Sequence, residues 1–193
     1  MKKLIAISGG IGSGKSVVSK ILTHMHYCVY DCDSRAKILM DTSSTIKQQL
    51  KELISPEVIN FNNDINRPLL SQIVFNNSTA LATLNNIVHS AVKEDLLNWF
   101  LNVDSNIAFV ETAILYQSKF DTIVDAVWEI EAPIELRIKR VMSRNNLTRD
   151  EVQARIDAQT FTPKELHQNT ITIYNDNIRP LLPQICFYLN HIS

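Results

Sequence analysis

Apolar and polar positions change their period along the chain, and that period separates strands from helices. Leu4-Ile5-Ala6-Ile7 is short, apolar and ended by turn residues, which predicts a buried strand. Val17, Val18, Ile21, Leu22 and Met25 follow at helical spacing, so a helix is expected from Lys15. Cys28-Val29-Tyr30 predicts a second strand ending at Asp31-Cys32-Asp33, with a helix from Ser34 to about Met40. Between residues 42 and 102 the pattern becomes mostly helical. Helices are expected over 45–54 and 67–75, on either side of the turn Asn60-Phe61-Asn62-Asn63-Asp64. A long helix is expected over 78–101, where Leu81, Leu84, Val88, Val92 and Leu96 recur at three or four residues. Ile107–Val110 and Val127–Ile130 predict strands three and four.

Pro133 is read as the first position of a further helix that carries Leu136, Ile138 and Val141. Asn145-Asn146-Leu147-Thr148 breaks that helix. Thr148 then serves as an N-cap, with Glu151 three residues on completing a capping box. Thr170–Tyr174 predicts the fifth strand and Pro180–Leu189 the last helix. Strands alternating with helices imply an α/β fold, a parallel five-stranded sheet flanked by helices. The stretch 42–102 enters it as a helical insertion. A chain of 193 residues suits one such domain, since ordinary domains run roughly 50–250 residues.

Composition singles out one place in this pattern. The chain has four glycines, where average usage of ~7% would give about thirteen. They are Gly9, Gly10, Gly12 and Gly14, directly after the first strand. Gly9-Gly10-Ile11-Gly12-Ser13-Gly14-Lys15-Ser16 matches G-x-x-x-x-G-K-[ST] between a strand and a helix. Backbone N–H groups must converge on phosphate there, in conformations and at distances that a Cβ hinders. The following helix turns its unpaired N–H groups and positive dipole end to the same phosphates. The motif assigns ATP to Gly10, Ile11, Gly12, Ser13, Gly14, Lys15 and Ser16. Lys15 reaches the β- and γ-phosphates and the Ser16 hydroxyl ligates Mg²⁺.

Charge and cysteine usage narrow the class. A net charge of −1 gives no support to a non-specific nucleic-acid or membrane binder. Cys28, Cys32 and Cys186 fit neither a zinc motif nor Cys-x-x-Cys, and read as reduced thiols. No apolar stretch approaches the ~20 residues of a membrane span, and the run behind Lys2-Lys3 is too short for a signal-peptide core. A cytoplasmic protein with small-molecule partners is expected, and the sequence does not fix its oligomeric state. A GTPase switch needs Asp-x-x-Gly, which a chain without glycine beyond residue 14 does not contain. The competing classes are a small-metabolite or nucleoside kinase and an ATP-binding regulatory module without phosphoryl transfer.

Two further features point to a kinase. Asp31 and Asp33 stand at the end of the second strand, and ligands of open parallel sheets bind beyond the carboxyl ends of strands. Either can receive a hydroxyl proton, and the bland alternative is a helix cap. Arg137, Arg140 and Arg144 share a helical face ahead of a polar break. That face is either a solvated surface or part of a lid over residues 137–165 that neutralises the transferring phosphate, with Arg140 or Arg144 as the working residue.

With these elements in order, the sequence resembles the dephospho-CoA kinase family over nearly its whole length. The likeness is carried by Ile7–Ser16, Tyr30-Asp31-Cys32-Asp33, Asn66-Arg67 with Leu70 and Ile73-Val74-Phe75, and Leu84-Asn85-Asn86-Ile87-Val88-His89. Arg140-Val141-Met142-Ser143-Arg144, Arg155-Ile156 with Gln159, and Asn175-Asp176 continue it. The resemblance implies a five-stranded core, a helical acceptor-binding region and a lid. It implies ATP-dependent phosphorylation of the ribose 3′-hydroxyl of dephospho-CoA. It implies Asp33, Lys15 and Arg140 as catalytic residues, and Val17, Arg144 and Asn175 among the ATP contacts. Asp31, Arg67 and His89 then contact the acceptor, with a structural hydrogen bond as the competing role of His89. Val17, Ser90, Gln117, Asn145 and Asn169-Thr170 depart from the family's usual residues, and none of these changes touches Lys15, Ser16, Asp33 or Arg140.

Overall fold

The computed structural model describes residues 2–159 and 165–192. Strands β1 (Lys3–Ser8), β2 (Cys28–Asp31), β3 (Ile107–Glu111), β4 (Ala126–Glu131) and β5 (Thr170–Tyr174) form one sheet in the order β2-β3-β1-β4-β5. Every pairing is parallel. The register places Asp31 opposite Glu111, Ile7 opposite Glu111, and Ser8 opposite Glu129. The carboxyl edge of the sheet therefore collects polar side chains at the point where the glycine loop leaves β1.

The helices are α1 (Lys15–His24), α2 (Cys32–Thr42), α3 (Ser44–Leu53), α4 (Arg67–Asn76), α5 (Ser78–Asn102), α6 (Ile134–Asn145), α7 (Arg149–Ala158) and α8 (Leu181–Leu189). The chain divides into two compact units, one of Met1–Asp31 with Val103–Ser193 and one of Cys32–Asn102.

In the first unit, alternation along the strands sends Ile5, Ile7, Phe109, Trp128, Ile130 and Ile173 into one core with Val18 and Leu22 of α1 and Ile185 of α8. Phe109 and Trp128 sit 5.1 Å apart, centroid to centroid, at its centre. A smaller cluster of Ile138, Val141, Val152 and Ile156 joins α6 to α7 and takes in Ile11 of the glycine loop. The capping box expected at Thr148 is present: Thr148 N donates to Glu151 Oε2 at 2.8 Å and Glu151 N donates to Thr148 Oγ1 at 3.4 Å. Of the expected lid over 137–165, residues 160–164 lie outside the described residues.

In the second unit, Ile46, Leu50, Val58, Ile59, Leu70 and Ile87 form the core. Ser43 caps α3 and Asn66 caps α4, each side chain accepting a backbone N–H from three residues on. Arg35 grips Asp95 with two bonds, Nε to Oδ2 at 2.9 Å and Nη2 to Oδ1 at 2.7 Å, which ties α2 to α5.

Three local details differ from the sequence reading. Helix α2 starts at Cys32 rather than Ser34, because β2 stops pairing at Asp31. Asp33 therefore lies in the first helical turn, where a carboxylate complements the helix dipole, and not on the strand end. Pro133 and Pro180 are N-caps rather than first helical residues, since their ψ angles of 140° and 133° are extended. The Asn-rich turn is closed by an antiparallel bridge between Ile59 and Ile65. Without glycine, the left-handed turn positions fall to His26, Asn63, Lys119, Asn146 and Asn177, with φ between 52° and 65°.

Candidate active site

The glycine loop is held by its surroundings as much as by its own turns. Gly12 has φ 77°, and a Cβ there would stand 2.6 Å from the backbone oxygen of Arg137. Gly14 has φ 102°, forms the N-cap of α1, and a Cβ there would collide with Asn175 Nδ2. The Ser13 hydroxyl is buried and has no hydrogen-bond partner among the described residues. A backbone cradle that a Cβ would fill, with an orphaned hydroxyl inside it, fits a phosphate group. Lys15 Nζ folds over the loop and donates to Gly9 O at 2.6 Å and Gly10 O at 3.4 Å. Ser16 and Val17 occupy the exposed first turn of α1.

Helix α6 brings two of the three candidate arginines to this loop. Arg137 Nε donates to Ile11 O at 2.9 Å, and its guanidinium occupies the space a Cβ on Gly10 would need. Arg140 Nη1 lies 3.4 Å from both Gly12 O and Ser13 O. Its Nη2 donates to Asn175 O, Asn175 Oδ1 and Asn177 Oδ1, the last at 2.8 Å. Asn175 is buried and donates Nδ2 to Ser13 O at 2.8 Å. Burial lowers the pKa of both arginines, yet each stays a cation. Arg144 is exposed one turn further on and donates Nε to Asn145 Oδ1. The end of α7 also reaches the loop, where Gln159 Oε1 accepts from Ile11 N at 2.8 Å.

Glu129 is a site residue that the sequence reading missed, and Arg137, which that reading set on the basic face of α6 without choosing it as a working residue, reaches the loop directly. Glu129 lies in β4, half-buried, with its pKa raised by burial and, more weakly, by Glu131. A hydrogen bond from Ser8 and the charges of Lys15 and Arg137 pull the other way. Two cavities meet at this residue. One of about 550 Å³ is lined by Ser13, Pro133, Tyr174, Asp176 and Arg179. The other, of about 360 Å³, is lined by Ser8, Leu115, Tyr116, Gln117 and Gln159. Gly10, Glu129, Glu131 and Arg137 line both. The available signal was an acidic residue inside a strand expected to be buried.

The acceptor candidates belong to other elements. Asp31 ends β2, and buried Cys32 separates it from exposed Asp33 in α2. Arg67 opens α4 and donates Nη2 to Asp41 Oδ1 at 2.5 Å; both side chains are more than half exposed, so the pair adds little stability. His89 is half-buried in α5, and burial lowers its pKa, which favours the neutral ring. Among the described residues no three His, Cys, Asp or Glu side chains are placed to hold a metal ion together. No described helix is long and apolar enough to cross a membrane.

A family model described as dephospho-CoA kinase matches residues 3–180. A dephospho-CoA kinase of Bacteroides fragilis is 37% identical over 182 residues, covering 94% of this chain and 88% of that protein. A solved structure of a Thermus thermophilus protein aligns with a TM-score of 0.80 at 28% identity, covering 100% of this chain and 98% of that one. The dephospho-CoA kinase structure from Campylobacter jejuni aligns with a TM-score of 0.66 at 26% identity, covering 99% and 96%.

Proposed function

The chain belongs to the dephospho-CoA kinase family, and on that premise we propose how its residues divide the work of the reaction. The reaction is the ATP-dependent phosphorylation of the ribose 3′-hydroxyl of dephospho-CoA, giving coenzyme A and ADP. The 3′-oxygen bonds to the γ-phosphorus as the bridging β–γ oxygen leaves with ADP. Catalysis of such a transfer comes from positioning and charge stabilisation rather than a covalent intermediate.

Gly10 to Val17 hold the ATP phosphates, with Arg144 and Asn175 completing the ATP site. Lys15 exchanges its bond to Gly9 O for the β- and γ-phosphates. Arg140 stabilises the charge on the transferring group. Asp33 orients the acceptor hydroxyl and takes its proton, and Asp31 supports it from the end of β2. Arg67 and His89 bind the acceptor within the helical region 42–102, and the region 137–165 acts as the lid. Ser16 Oγ would hold Mg²⁺, which would supply positive charge to offset that of the ATP phosphates. The chain works in the cytoplasm.

The observation that carries this reading is the convergence of Lys15, Arg137 and Arg140 on the backbone of one glycine loop. Three cations suit a bound triphosphate, and the carboxylate of Asp33 is what a pure ATP-binding module has no need of. The test is incubation of the purified protein with Mg·ATP and dephospho-CoA, shikimate, gluconate, uridine or nucleoside monophosphates. Coenzyme A and ADP should form from dephospho-CoA alone. Turnover of another acceptor with none of dephospho-CoA overturns the substrate, and ATP binding without any transfer overturns the kinase.

A further inference from the structure

Gln159 has no part in the roles assigned above, yet its side chain reaches the glycine loop from a point 148 residues along the chain. The loop explains what it meets there. Ser13 N donates to Gly10 O at 3.1 Å, which closes a four-residue turn with Ile11 and Gly12 at its centre. Gly12 has φ 77°, the left-handed value that a type II turn requires at its third position. Such a turn uses the carbonyl of its first residue and the N–H of its last. The N–H and carbonyl of Ile11 take no part in it, so their partners must come from elsewhere.

Two helices supply them. Gln159 Oε1 accepts from Ile11 N at 2.8 Å, and Arg137 Nε donates to Ile11 O at 2.9 Å. The Ile11 side chain packs against the cluster of Ile138 and Val141 from α6 with Val152 and Ile156 from α7. Ile156 and Gln159 stand three apart, so one face of α7 brings an apolar contact and an acceptor to the same residue. Gln159 is also the C-cap of α7. Its own N–H donates to Arg155 O at 3.2 Å and Ile156 O at 3.1 Å, which anchors the base of the side chain. All three groups of Ile11 are thus engaged by α6 and α7. The glycines on either side of it carry no side chain that could hold the turn. A loop of this composition is fixed from outside, or it loses conformational entropy each time phosphate binds.

We propose that Gln159 is a positioning residue of the phosphate loop. Its amide oxygen pins the outer turn through the Ile11 N–H, so the loop meets phosphate already in shape. Acting on the same residue as Arg137, it makes the seat of α7 and the shape of the loop one arrangement. This rests on the reading of the glycine loop as the site of the ATP phosphates.

Gln159→Leu tests it, since leucine keeps the bulk and removes the acceptor. Ile11→Pro supplies the deciding background, because proline has no N–H and suits the second position of a type II turn. Gln159→Leu alone should lower kcat/KM for ATP about threefold to tenfold, the worth of one hydrogen bond, with KM for dephospho-CoA unchanged. In the Ile11→Pro background the same substitution should cost next to nothing, since the donor it would orphan is gone. An unchanged kcat/KM for ATP in Gln159→Leu overturns the proposal. So does an equal loss in both backgrounds, which marks packing by the side chain rather than the bond. If Ile11→Pro does not fold, hydrogen exchange decides. Gln159→Leu should then speed exchange of the Ile11 amide and leave Val18 and Leu22 of α1 protected. Unchanged exchange at Ile11, or protection lost at all three, overturns the proposal. If wild-type protein forms no coenzyme A, the kinase reading fails by itself. The same cycle read on Kd for ADP by calorimetry then decides the role of Gln159: a loss confined to the Ile11 background upholds it, and an equal loss or none overturns it.

Discussion

Arg140 binds Asn175 twice from a single nitrogen: Nη2 lies 3.0 Å from the backbone oxygen and 3.2 Å from Oδ1. Asn175 passes the connection on, since its Nδ2 donates to Ser13 O. Helix α6, the end of β5 and the glycine loop are thus joined through one buried amide. Both ends of that amide are engaged, so its orientation is fixed by its partners.

Asn175→Asp puts an acceptor against Ser13 O where a donor stood. A buried group left unsatisfied costs about 1–3 kcal/mol. The variant should melt below wild type and bind ATP more weakly, read by thermal unfolding with and without the nucleotide. Equal melting temperatures would show that the bond to Ser13 O does not form in solution.

Arg140→Lys keeps a charge but gives up the planar fork that spans Asn175, Asn177 and the loop. Loss of one preorganised donor to developing charge lowers kcat by about 10²–10³. Arg140→Ala should show that loss and the lysine variant should recover only a small part of it. Full recovery by lysine would mean that charge alone matters.

Asp33→Asn removes the proposed base while keeping the shape of the first turn of α2. Steady-state assays should show kcat reduced by about 10²–10⁴ with ATP affinity little changed. A wild-type rate would take Asp33 out of its role.

Glu129 also predicts a pH-dependent stability difference. Its folded pKa is raised, so the folded chain holds this proton more tightly than the unfolded one. Stability from the group is full below the unfolded pKa and is lost as pH rises through the folded pKa. Above the folded pKa the cost of the half-buried carboxylate is therefore present in full. Glu129→Gln, which does not ionise, should melt above wild type at neutral pH, with the gap closing in acid. A gap independent of pH would assign the effect to packing instead.

The sequence carried the loop and the sheet because both rest on local rules. Glycine spacing and apolar runs are visible along a line, as are the caps at Thr148 and Asn66. Glu129 and Arg137 were harder, since their meaning comes from parallel register and from a helix crossing back over the loop. Residues 129 and 8 become neighbours only once β1 and β4 pair. The choice between Arg140 and Arg144 also depended on tertiary placement, because both share a helical face and only Arg140 reaches the loop. Asp33 moved from strand end to helix start because strand pairing, not local preference, decides where β2 stops.

The glycine-free turns have a chemical consequence beyond their geometry. An asparagine ages when the next residue's backbone nitrogen attacks its side-chain carbonyl, and a following residue without a Cβ leaves that attack least hindered. Asn63, Asn146 and Asn177 occupy left-handed turns but precede Asp64, Leu147 and Ile178. No asparagine in the chain precedes a glycine. Confining glycine to the phosphate loop leaves the turns to asparagine while withholding the neighbour that would shorten its chemical lifetime.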